Sequence, residues 1–124
     1  MKVAIIIPCY NEADRLDTNK FVDYLSQNTH LHFIFIDDGS TDNTTFIINS
    51  LKSKFNSHVT LLKNETNKGK AESVRLGVIE SFTMTPDFIG YLDADLAAPI
   101  EEIDNLLNII KAAPKKEVVF ASRI

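Results

Sequence analysis

The sequence has one cysteine, Cys9, so no disulfide can form within the chain. That excludes a stapled secreted domain and points to a cytoplasmic setting. No apolar run approaches the roughly 20 residues that a membrane helix needs. The run Val3 to Ile7 is too short for the apolar region of a signal peptide, and it stops at Pro8. There is no excess of basic residues. The formal net charge is -4, which argues against a general nucleic-acid binder and leaves no polybasic membrane patch. A P-loop is also missing, because Gly69-Lys70 is followed by Ala71 rather than Ser or Thr. Repeats, linkers and low-complexity segments are absent as well. With 124 residues, 44% of them hydrophobic, one domain over residues 1–124 with one core is expected.

What is present alternates. Val3-Ala4-Ile5-Ile6-Ile7 is a continuous apolar, largely β-branched run, the pattern of a strand buried on both faces. Pro8 is expected to end it. A helix follows from about Thr18, with Asp17 as N-cap and Phe21, Val22 and Leu25 inward. His32 to Ile36 reads as a second strand. Ser40 or Thr41 is expected to cap the next helix, with Asp42 at its positive end. Ile47, Ile48, Leu51 and Phe55 recur there at helical spacing. Val59 to Leu62 is a third strand, followed by a helix with Ala71, Val74, Val78 and Phe82 on its inward face. Phe88 to Leu92 is a fourth strand. Pro99 suits the first position of a fourth helix, with Glu101 and Glu102 as dipole partners in its first turn. Its core face is Ile103, Leu106, Leu107 and Ile110. Val118 to Ala121 is a fifth strand. Strand and helix in alternation predict an α/β fold with a mostly parallel sheet of about five strands and right-handed crossovers.

Four polar segments follow the first four strands: Pro8 to Glu12, Asp37 to Ser40, Asn67 to Lys70 and Asp93 to Asp95. In an open α/β sheet that edge is where ligands bind. The loops at the other edge are generic and carry no carboxylate cluster. Asp93-Ala94-Asp95 alone reads as a turn and capping sequence. In an extended segment, however, residues two apart point to one side, and paired carboxylates repel unless a cation or proton joins them. A hard divalent ion such as Mg²⁺ or Mn²⁺, shared with substrate phosphates, fits that pair. At the same edge Asp38 and Glu12 can accept hydrogen bonds from a base, and Tyr10 can stack on one. Lys70, beside Gly69 at a helix start, can meet phosphate. Base, phosphate and metal functions together describe a nucleotide site.

The runs I-I-I-P-C-Y-N-E (Ile5 to Glu12), I-D-D-G-S-T-D (Ile36 to Asp42), N-K-G-K (Asn67 to Lys70) and D-A-D (Asp93 to Asp95) resemble the family-2 glycosyltransferases. Within that family Tyr91 to Ile103, Asn67 to Gly77 and the A-S-R ending look most like the polyprenyl-phosphate glycosyltransferases, the dolichyl-phosphate enzymes among them. The resemblance implies the GT-A fold, here its Rossmann-like nucleotide-binding half, and a UDP- or GDP-sugar donor. Pro8, Tyr10 and Glu12 would line the nucleoside pocket. Asp38 would contact the base, and Asp37 would support the loop. Lys70 and Arg75 would lie near the donor, although Arg75 reads equally well as a solvent-facing helix residue. Asp93 would approach the ribose or a metal-bound water, and Asp95 would be the direct ligand of Mn²⁺ or Mg²⁺, with Asp93 beside it. Arg123 would meet a phosphate. Cys9 reads as a small filler beside the pocket, because nothing nearby would activate it. His30, His32 and His58 fall at the opposite edge and read as structural.

The implied reaction is inverting transfer of the sugar by direct displacement. Most members use a carboxylate base that lies well beyond the D-x-D strand, and none is assigned here. A polyprenyl-phosphate acceptor would need none, because its phosphate oxygen is already anionic. The chain is expected to be the nucleotide-binding portion of a longer domain, truncated at its C-terminal end. Its full-length form would be peripheral at the cytoplasmic membrane face. The alternative is a non-catalytic nucleotide-sugar-binding module that lacks the acceptor half. A dehalogenase-like phosphatase and a phosphate-receiver domain would both place their acidic pair after the first strand. A sugar-nucleotidyltransferase would show a glycine-rich loop there, and Pro8 to Glu12 has no glycine.

Overall fold

A computed structural model describes residues 2–96 and 99–112. Its strands are β1 (Val3–Cys9), β2 (Leu31–Asp38), β3 (Val59–Asn64) and β4 (Phe88–Tyr91). Its helices are α1 (Thr18–Gln27), α2 (Thr44–Lys54), α3 (Lys70–Ser81) and α4 (Glu102–Ala112), with a 3-10 turn at Phe82–Met84. The strands form one parallel sheet in the order β3-β2-β1-β4. The α/β expectation holds, with four strands described. The fifth, expected at Val118 to Ala121, lies outside the described residues, as does Arg123.

Side chains alternate between the two faces of the sheet. Val3, Ile5 and Ile7 of β1, with Phe33 and Phe35 of β2, pack against α1, α2 and α4 through Phe21, Leu25, Ile48, Leu51, Ile103 and Leu107. Phe21 meets Phe33 and Phe35 edge-on, with centroids 5.6 and 5.5 Å apart, the geometry that the ring quadrupoles favour. Ala4, Ile6, Ile34 and Ile36 face the other way, toward α3. Asp17 caps α1 as expected, accepting from the Lys20 amide at 3.3 Å.

Four local expectations change. The buried residues of α3 are Ser73, Gly77 and Ser81; Val78 packs against the core as expected, whereas Ala71 and Phe82 are exposed. The helix lies too close to the sheet for larger groups. A Cβ on Gly77 would stand 2.5 Å from Ile6 Cγ2 and 2.9 Å from Ile36 Cδ1. The residue before α2 is Asn43, with no side-chain cap, because Ser40 and Thr41 are committed to the neighbouring loop. Pro99 lies in a turn of i-to-i+3 bonds over Pro99, Ile100 and Glu101, and α4 starts at Glu102. Of the expected core face of α4, Ile103 and Leu107 are buried, and the side chain of Ile110 lies outside the described residues.

Pro8 does not end β1. It pairs with Ile36, and the strand runs on to Cys9. The Ile6 carbonyl accepts from the Leu92 amide at 2.9 Å, so even-numbered backbone groups of β1 face β4. The β4 ladder stops at Tyr91, opposite Ile6. Pro8 therefore falls where β4 has already turned away and no N–H is needed. The chain leaves β1 toward β2 on one side and returns to β4 on the other. The crevice between the ends of β1 and β4 is thus the switch point of the sheet, where such folds place their ligands.

Candidate functional site

A cleft of about 370 Å³ opens at that switch point. It brings together Pro8, Tyr10 and Glu12 after β1, Asp38 at the end of β2, Lys70 at the start of α3, and Asp93 and Asp95 after β4. Tyr10 is 45% exposed and lines the cleft. Arg75 is not on the cleft. It makes a two-point ion pair with Glu72, at 2.6 and 2.9 Å, on the exposed side of α3. Cys9 is buried, and its burial, with Glu12 and Asp37 nearby, pushes its thiol far above the usual range. It cannot serve as a nucleophile there. His32 and His58 bind backbone and hydroxyl groups at the far edge, where the sequence places them.

The loops after β1 and β2 are stitched to each other. Asn11, at a left-handed φ of 50°, donates its amide to Ser40 Oγ at 2.9 Å. Its side-chain oxygen accepts from the Thr41 amide at 2.8 Å. The Glu12 amide donates to Thr44 Oγ1 at 2.9 Å, and the Ala13 amide to Asp42 at 3.2 Å. Asp37 is wholly buried and accepts from the Ser40 amide and the Thr45 hydroxyl. It supports the loop, as expected. These contacts fix the segment that presents Tyr10 and Glu12.

Asp38, the next residue, points to the opposite face of the sheet. It is 3% exposed. Its Oδ1 accepts from Asn64 Nδ2 at 2.9 Å and the Lys68 amide at 2.8 Å, and its Oδ2 accepts from the Gly69 amide at 2.9 Å. Burial alone would raise its carboxyl, but the donors from Lys68, Asn64, Gly69 and Ser73 together hold it below the ordinary range. A depressed folded-state value stabilises the ionised form. The clamp's contribution to stability is therefore complete above the ordinary Asp value of 3.8 and is lost as the pH falls below it. In Asp38→Asn that part of the acid unfolding limb disappears, which a pH series of urea melts measures.

At the other wall, Lys70 Nζ donates to Asp93 Oδ1 at 2.6 Å and stands 5.4 Å above the Tyr91 ring. The hydrogen bond to Asp93 holds the ammonium above its ordinary range. Asp95 is exposed, and its charge acts on Lys70 and on Arg15. Arg15 in turn donates to Glu12 at 2.9 Å and to the Asn11 carbonyl at 3.1 Å. Leu96 takes a left-handed φ of 53°, and its amide closes a turn on the Asp93 carbonyl at 3.0 Å. That turn carries both aspartates at the cleft. Among the described residues no group of three or more His, Cys, Asp or Glu could cage a metal. Two hard carboxylates beside an open cleft still fit Mg²⁺ or Mn²⁺, which commonly take one or two carboxylates and complete their shell with water and substrate phosphate.

Sequence reasoning missed Arg15, Asn64 and Ser73. For Arg15 a signal existed: it stands three residues after Glu12, a spacing that pairs side chains across one turn. Asn64 and Ser73 carry no such signal, because their partner Asp38 is 26 positions from Asn64.

Comparison with known proteins gives the family and the fold. The family model described as glycosyl transferase family 2 matches residues 4–124. An undecaprenyl-phosphate 4-deoxy-4-formamido-L-arabinose transferase of Yersinia pestis (strain Pestoides F) is 33% identical over 113 residues, covering 87% of this chain and 33% of that protein. Its namesake in Shewanella sediminis is 35% identical over 108 residues, covering 85% and 32%. The chain thus spans about a third of the length of the curated relatives it matches. Among solved structures, the mannosyltransferase PcManGT of Pyrobaculum calidifontis, in complex with GDP-Man and Mn²⁺, matches with a TM-score of 0.72 at 23% identity, over 88% of this chain and 32% of that one. TarS 1-349 of S. aureus in complex with UDP-GlcNAc matches with 0.70 at 22% identity, over 90% and 32%. Both share the fold, the GT-A-like arrangement expected from the sequence. With a parallel sheet, a cleft at its switch point and a family match over nearly every residue, the chain belongs to glycosyl transferase family 2.

Proposed function

We propose that the cleft is the donor site of an inverting, metal-dependent glycosyltransferase that takes a UDP- or GDP-sugar, with a polyprenyl phosphate as acceptor. The observation that carries this reading is the convergence, in one cleft, of Tyr10 and Glu12, Asp38, Lys70, and the Asp93–Asp95 pair. The names of the curated relatives favour the lipid-phosphate acceptor. Such an acceptor places the full protein at the cytoplasmic face of a membrane. No helix among the described residues is long and apolar enough to cross one.

Pro8, Tyr10 and Glu12 form the nucleoside wall, with the Tyr10 ring stacking on the base. Asp38 lies beneath the base. Lys70 moves from Asp93 to the diphosphate, a compact cation exchanging one anion for another. Asp95, with Asp93, would hold Mn²⁺ or Mg²⁺, which when bound neutralises charge on the leaving nucleoside diphosphate. The acceptor's phosphate oxygen attacks the anomeric carbon as the bond to the diphosphate oxygen breaks. That oxygen is already anionic, so no general base is required of the chain. Arg123 is a further phosphate contact in this proposal. Arg75 is left out, since it is engaged with Glu72 away from the cleft.

Titration calorimetry with a panel of UDP- and GDP-sugars tests the reading. Binding by at least one of them, stronger with Mn²⁺ than without, is the expected result. Failure of the whole panel with metal present sinks it. Acceptor-dependent turnover then separates a transferase from a binding module.

A further inference from the structure

Asp38 is the most heavily committed side chain in the cleft. It accepts from Asn64, Lys68 and Gly69, with Ser73 as a further donor, so its acceptor capacity is largely spent on the protein itself. Two of those bonds go to backbone amides of the segment just before Lys70, the first residue of α3. The neighbouring residue reinforces the same contact. Gly39 lies so close to this segment that a Cβ on it would stand 2.6 Å from the Asn67 amide nitrogen. Gly69 itself has a left-handed φ of 97°, which turns the chain into α3. The Asp38–Gly39 corner is thus shaped to the backbone of residues 66–69.

We propose that Asp38 is a positioning residue: its carboxylate holds the Lys68 and Gly69 amides so that Lys70 enters the cleft at the diphosphate end. The inference rests on the donor-site reading for its functional half and on geometry alone for the other half. It reassigns Asp38. A residue that only reads the base affects nucleoside and nucleotide binding alike. A residue that seats Lys70 affects binding in proportion to the phosphates present.

The test uses Asp38→Asn in the full-length protein. Asparagine keeps the size, but its NH2 must face either the Gly69 amide or the Lys68 and Asn64 donors. Donor then opposes donor in a buried place. Amide hydrogen exchange at Lys68 and Gly69, in the ligand-free protein, is expected to quicken by about tenfold or more, the equivalent of a hydrogen bond to a charged group. UDP or GDP affinity falls by about tenfold or more, and that of the bare nucleoside by less than about threefold. Asn64→Ala, which removes one donor and leaves the charge, moves exchange in the same direction by less and covers the case in which Asp38→Asn does not fold. Lys70→Met weakens diphosphate binding without changing exchange at Lys68 and Gly69. Unchanged exchange in both clamp variants overturns the proposal. So does an equal loss of nucleoside and nucleotide affinity. If the wild-type protein binds neither nucleotide, the donor-site reading fails, and the exchange measurement still decides the clamp.

Discussion

Gly39→Ala is expected to lower the melting temperature by about 5–15 °C and to loosen residues 66–69. Two costs add. Gly39 has a φ of 73°, a left-handed conformation that costs an L-residue about 1–2 kcal/mol. The new Cβ would also stand 2.6 Å from Asn67 N, 2.7 Å from Thr66 C and 3.1 Å from Thr66 Cα. These are backbone atoms, so no change of rotamer relieves the overlap, and the loop itself must move. The sum is about 2–4 kcal/mol, in the upper part of the range for single substitutions. Gly69→Ala carries a conformational cost without a contact. Gly69 has a φ of 97°, but nothing lies within 4 Å of its added Cβ. With a ψ of 159° it lies in the extended positive-φ region that is essentially glycine's own, so it should lose only a conformational part, about 1–3 kcal/mol. Thermal melts followed by circular dichroism compare the pair. A loss in Gly39→Ala of no more than about 1–2 kcal/mol, the conformational cost alone, would show that the contact with Thr66 and Asn67 contributes nothing.

Asp95→Asn is expected to weaken nucleotide-sugar binding in Mn²⁺ by on the order of 10–100-fold, at least the effect of disturbing a metal's supporting shell. In EDTA the same variant should bind as well as the wild type or better. The sign reversal follows from the charges around it. Asp95 acts on Lys70, which lines the cleft, and on Arg15. Without metal, its negative charge opposes an incoming diphosphate, and its removal leaves those cations less neutralised. With metal, the carboxylate is needed to hold the ion. Calorimetry in both buffers reads the two arms. Equal affinity in Mn²⁺ would remove Asp95 from the ligand set, and weaker binding in EDTA would make it a contact of the sugar nucleotide itself.

The strands were legible because β-branched runs identify themselves locally. Val3 to Ile7 and His32 to Ile36 needed no partner to be recognised. The limits of such local reading lie in particular residues. Pro8 looked like a strand end, since a proline breaks a ladder. It is tolerated because β4 has already left, a fact about another strand. On α3 apolar periodicity favours Ala71, Val74, Val78 and Phe82; Val78 does pack against the core, but Ala71 and Phe82 are exposed. The helix's distance from the sheet instead selects Ser73, Gly77 and Ser81. Period-two alternation separates Asp37 from Asp38. One serves the loop before α2, and the other serves the loop before α3.

By itself, the sequence determined the α/β class, the family motifs and the gathering of polar residues at one edge of the sheet. Each of these depends on local pattern, since a polar run after a buried strand must emerge at that strand's end. Only the tertiary structure decided that β4 lies beside β1, which turns four separate loop ends into one cleft. It also decided which charge meets which. Lys70 is 23 positions from Asp93, and the Asp38 carboxylate reaches amides 30 and 31 positions away. Pairing over such distances follows from strand order and register, and no local pattern encodes it.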